Sequence, residues 1–114
     1  MGAVWIRDEN LTNAGAVDHM HGDLEVATLL AAASSGDSEA YFDLGVIYST
    51  ASHGVPCDLV EAHKWFNLAA VCGHEEAPTC RAEVADDMTA REIAEAQRRA
   101  RQWLSATPPL RRAA

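Results

Sequence analysis

Residues 39–77 read EAYFDLGVIYSTASHGVPCDLVEAHKWFNLAAVCGHEEA, and their apolar spacing decides the fold. Ala40, Tyr41, Leu44, Gly45 and Tyr48 recur at the intervals of three and four that bring side chains to one face of an α-helix. The pattern breaks in Ser49-Thr-Ala-Ser-His-Gly54, a run of turn formers. It resumes at Asp58-Leu-Val-Glu61, a D-x-x-E start in which each side chain can cap N–H groups of the first turn. From there it runs through Ala62, Trp65, Phe66, Ala69 and Ala70 to Gly73, a helix stop. Two helices joined by a short loop thus form the middle of the chain.

The flanks extend the pattern. Upstream, a helix from Asp23 has the expected face Leu24, Ala27, Leu30 and Ala31 and a stop at Gly36, and the next begins near Asp37 or Ser38. Downstream, a short helix covers 77–85, with Pro78 tolerated because it lies in the first turn. Thr89-Ala-Arg-Glu92 is a capping box, with Met88 and Ile93 at the positions of a hydrophobic staple. The buried stripe of that last helix is Ile93, Ala96 or Gln97, Ala100, Trp103 and Leu104, and Pro108-Pro109 end any continuation. Long β-branched or aromatic alternation is absent, which argues against a sheet. The expected class is all-α, with about five helices and a thin core, because 22 of the 114 residues are alanine. The expected organisation is a flexible arm at 1–22, a helical domain at 23–105 and a frayed tail at 106–114.

The net charge of −8 disfavours nucleic acid and anionic membrane as partners. Its distribution is uneven: residues 1–90 carry −12 and residues 91–114 carry +4. No apolar run approaches a membrane span, and no signal peptide or myristoylation signal is visible at MGAVWIRDEN, so a cytoplasmic location is expected. Three cysteines suit a reducing compartment better than a disulfide framework.

The segment also repeats internally. Ser35-Gly-Asp-Ser-Glu-Ala40 recurs as Cys72-Gly-His-Glu-Glu-Ala77 at a shift of 37, and Ala32-Ala33 recurs as Ala69-Ala70 on the same shift. Leu59-Val-Glu-Ala62 matches Ile93-Ala-Glu-Ala96 at a shift of 34. The full unit resembles the Sel-one-like repeat, a relative of the tetratricopeptide repeat. The resemblance is carried by Ala40, Leu44, Gly45, Tyr48, Gly54, Val55, Asp58, Ala62, Trp65, Phe66, Ala69, Ala70, Gly73, His74 and Ala77. The loop departs from the family pattern by one extra residue and by Ala51 or Ser52 where the first glycine stands. The second repeat is degenerate, with Arg81-Ala82 in place of Leu-Gly and no Gly-Val loop.

The resemblance implies a right-handed solenoid of antiparallel helix pairs, in which Gly45 and the alanine pairs allow close approach and Trp65, Phe66 and Trp103 fill the core. It implies a small cytoplasmic adaptor or regulator, bacterial in type, that binds another protein without catalysis or cofactor. Helical phase points Asp43, Val46 and Ile47, with Glu83, into the groove that would receive the partner.

Other chemistries compete for the same residues. Cys72, His74 and Cys80 are the candidates for a metal- or thiol-redox-responsive protein, but their spacing is not the paired arrangement of a structural zinc site. In cysteine-rich secreted members of the family, thiols at the Cys72–Cys80 spacing bridge adjacent helices, so the resemblance makes a disulfide there conceivable; absence of a signal peptide favours thiols. His63 is expected on an exposed helix face. No Ser/His/Asp arrangement, phosphate loop or poised carboxylate pair appears, and no enzyme is expected. Arg91, Arg98, Arg99 and Arg101, with Arg111 and Arg112, form the one basic feature, either a solvated helix face or a dock for an acidic partner, including a second copy of the chain. Self-association is the third functional reading.

Overall fold

The computed structural model describes residues 25–106. The expected arm, Leu24 and all of the expected tail except Ala106 lie outside the described residues. The described chain is all-α, with five helices and no strand: α1 over 25–34, α2 over Ser38–Thr50, α3 over Leu59–Val71, α4 over Ala77–Ala85 and α5 over Ala90–Ala106.

Local chemistry sets the ends. The Asp37 carboxylate accepts from the N–H groups of Glu39 and Ala40, and Asp58 accepts from that of Glu61, so each satisfies donors the first helical turn leaves unpaired. Thr89 and Glu92 make both bonds of the capping box, at 2.8 Å and 3.1 Å. Asp58 and Glu61 make only one. The Glu61 carboxylate instead accepts from the Trp65 indole at 3.2 Å and from Arg99 of α5 at 2.7 Å, because those donors offer it charge and partial burial.

The joints after α1 and α3 have the same geometry. Gly36 N–H donates to the Ala33 carbonyl and Asp37 N–H to that of Ala32; thirty-seven residues on, Gly73 N–H donates to Ala70 and His74 N–H to Ala69. Gly36 and Gly73 both have positive φ, at 85° and 92°, the left-handed stop that this pair of bonds requires. The equivalence continues into the next helix. Asp37 Oδ1 accepts from the N–H two residues ahead, and His74 Nδ1 does the same from Glu76. The histidine of CGHEEAPTC is a turn-closing acceptor in the place of an aspartate.

Two clusters make the core. The larger gathers Ala33, Ala40, Tyr41, Leu44, Trp65, Leu68, Ala69, Ala77 and Ala100, and the smaller gathers Ala62, Phe66 and Val84. Trp65 stacks on Tyr41 at 5.9 Å and meets Trp103 edge-on at 4.9 Å, geometries that aromatic quadrupoles favour. Gly45 is buried where α2 crosses Phe66, and a Cβ there would stand 2.6 Å from that ring. Gly54 and Gly73 are exposed; they serve the backbone, with φ of 74° and 92°, rather than the core.

Two sequence expectations need correction, and the choice left open on α5 between Ala96 and Gln97 is made. The buried side of α1 is Val26, Leu29, Ala32 and Ala33, whereas Ala27, Leu30 and Ala31 are exposed. α1 is apolar at helical spacing on both sides, so its rotation is chosen by what α2 and α3 offer. His63 is buried, with 4% of its surface exposed, because α3 has neighbours on more than one side. Gln97 is exposed, and Ala96 takes the buried position of α5.

Candidate functional site

Asp43, Val46 and Ile47 come from one face of α2, as their spacing requires, and line a cleft of about 240 Å³ with Glu25 and Leu29 of α1 and Ser52 and His53 of the following loop. Ile47 forms its floor, only 3% exposed, while Val46 and Asp43 are half-buried. Glu83 lies exposed on α4 and does not line this cleft.

The loop wall is held by the unused carbonyls of the end of α2. Ala51 N–H and Ser52 N–H donate to Ile47 O, and the hydroxyls of Ser49 and Thr50 donate to Val46 O at 3.1 Å and 2.7 Å. Thr50 reaches Ser52 at 3.0 Å, and Ser52 lies 3.2 Å from His53 Nδ1. His53 Nε2 then meets Glu25 Oε1 at 3.1 Å, closing the rim between loop and α1.

The cleft is acidic. Partial burial pushes the Asp43 carboxyl above its ordinary range, and the charges of Glu39, Asp37 and Glu25 push it further, with His74 opposing. An apolar floor beneath a carboxylate crowded by its own kind favours a cation brought by a ligand.

The other candidate residues are placed elsewhere. Cys72 packs against the larger core cluster and Cys80 against the smaller, both as thiols. Burial, with Glu83 and Glu76 nearby, pushes the Cys80 thiol up, which is opposite to what a reactive thiolate needs. His74 stacks on Phe42 at 4.1 Å with its Nε2 3.4 Å from Glu39, so both ring nitrogens face protein groups. Among the described residues no group of three or more His, Cys, Asp or Glu side chains is gathered for a metal ion. No described helix is long and apolar enough to cross a membrane. Arg98 and Arg99 both bond to Glu95, and Arg99 also to Glu61. That ion-pair junction between α3 and α5 is not revealed by the sequence pattern, because it brings together residues 61 and 99.

No protein-family model, curated protein or solved structure matches the chain.

Proposed function

We propose that the chain is a non-catalytic protein-binding module, a short right-handed solenoid of Sel-one-like helix pairs. The α1–α2 cleft receives a partner segment that presents a basic side chain beside an apolar one. The reading is supported at the fold level by the identical backbone bonds at the two joints thirty-seven residues apart. The single observation that carries the binding role is Asp43, a half-buried carboxylate crowded by Glu39, Asp37 and Glu25 above Ile47 and Val46. An incoming Lys or Arg relieves that repulsion, and its apolar neighbour covers the floor. An array of capped peptides tests this, scanning basic, neutral and acidic side chains next to leucine. Basic–apolar peptides bind the parent and lose at least about tenfold in affinity to Asp43→Arg, the loss expected for a charge-assisted contact. The helical circular dichroism stays unchanged. Equal binding of acidic and basic peptides would dismiss the reading.

A further inference from the structure

A second cleft, of about 440 Å³, opens between α3 and α5 and is lined by Glu61, Lys64, Arg98, Arg99, Gln102 and Trp103. Lys64, Arg98 and Arg99 are met by two carboxylates, Glu61 and Glu95. Glu61 Oε1 accepts from Trp65 at 3.2 Å and lies 3.2 Å from Lys64, while its Oε2 takes Arg99. Glu95 takes Arg98 at 3.0 Å and 2.7 Å and Arg99 at 2.8 Å, and the hydrogen bonds from these arginines hold its carboxyl down to about 2. Glu95 is therefore ionised, and the carboxylates of Glu61 and Glu95 each already accept three contacts from the donors around them.

Donors remain in surplus. The Lys64 ammonium contacts one carboxylate and otherwise lies 4.1 Å over the Trp65 ring and 5.5 Å from the Trp103 ring centroid. The Arg99 Nη2 and the Gln102 amide nitrogen make no hydrogen bond among the described residues. Counted over the described residues, the cleft thus carries one net positive charge, spare N–H donors and a half-buried indole.

We propose that the α3–α5 cleft binds a single peptide carboxylate, an Asp or Glu side chain flanked by apolar residues in a partner protein. One excess positive charge matches a monoanion. A dianionic phosphate would meet Glu61 and Glu95 with uncompensated charge, and a polyanion needs a continued track of cations. The Trp103 ring supplies the surface for the flanking apolar side chain. This site lies on different helices from the acidic cleft and stands without it.

The test uses the whole chain and a fluorescein-labelled, end-capped peptide with one glutamate between two leucines, read by anisotropy and by amide and indole NMR shifts. The expected result is saturable binding, with shifts at the Trp103 indole and the Gln102 side chain. Replacing that glutamate by glutamine weakens binding about tenfold, and so does Lys64→Met, which keeps the stem packed on Trp65. Gln102→Glu, at an exposed position, adds a repelling carboxylate, weakens binding as well and decides the matter if Lys64→Met loses its fold. Asp43→Arg leaves the affinity unchanged, which separates this site from the first. Equal binding of the glutamine peptide, tighter binding of a phosphoserine peptide, or shifts mapped elsewhere overturns the proposal. So does sedimentation showing a dimer abolished by Gln102→Glu while the peptide fails to bind, which would give the cleft to a second copy.

Discussion

The indole N–H of Trp103 donates to the Tyr41 hydroxyl at 3.1 Å, joining α5 to α2 across 62 positions of sequence. The same two rings flank Trp65, one stacked and one edge-on, so three aromatic residues from three helices share a single contact. Tyr41→Phe keeps the rings and removes the acceptor, and should cost about 1 kcal/mol in urea unfolding. Trp65→Ala empties the centre and should cost about 3–5 kcal/mol. A Trp65→Ala variant that unfolds at the parent's midpoint would refute this packing.

Gly45→Ala tests how closely α2 approaches α3. The added Cβ would lie 2.6 Å from two ring carbons of Phe66, a buried side chain with little room to retreat. Overpacking of this kind costs about 1–3 kcal/mol. Gly45→Ala combined with Phe66→Leu should recover part of the loss; a single variant as stable as the parent would mean that the helices can separate cheaply.

Ala51→Gly should stabilise. Ala51 closes α2 in the left-handed region, with φ of 57°, where a Cβ crowds the following carbonyl. Glycine removes that strain but adds freedom to the unfolded chain, leaving a net gain of about 0.5–1 kcal/mol. Thermal unfolding reads the sign directly.

His63 should give the chain a stability that falls in mild acid. Burial holds its imidazole below the ordinary range, and the nearby Arg81 charge adds to the effect. Because the folded value is the lower one, the unfolded chain takes up the proton first as pH falls. The contribution is complete above the unfolded value of about 6.5 and is lost as pH drops through it toward the folded value. His63→Leu should flatten the stability profile between about pH 7 and pH 5 relative to the parent. An unchanged slope would mean that His63 reaches solvent.

Much of this was legible locally. Asp37, Asp58, Thr89 and the glycines at 36 and 73 act within a few residues of themselves, so their roles can be read from spacing alone. The same holds for Asp43, Val46 and Ile47 sharing one side of α2. What escaped depends on neighbours distant in sequence. The rotation of α1 is chosen between two apolar stripes by α2 and α3, and no pattern within 25–34 ranks them. Glu61 looks like a capping residue until Arg99 arrives from α5. His53 and Glu25 complete the acidic cleft only because the loop folds back over α1.

Among α2–α5, each of the principal helix contacts involves α3: with α2, with α4 and with α5. Loss of α3 would remove every one of those contacts at once, so even in so short an array no helix pair stands without it. The amides of α3 should therefore exchange with solvent only when the whole domain opens, those of Trp65 and Leu68 slowest of all. A circular permutant opened at Ser52, in the loop before α3, should fold with α3 as an end segment, whereas one opened within 59–71 divides α3 between its two ends and should fail to fold.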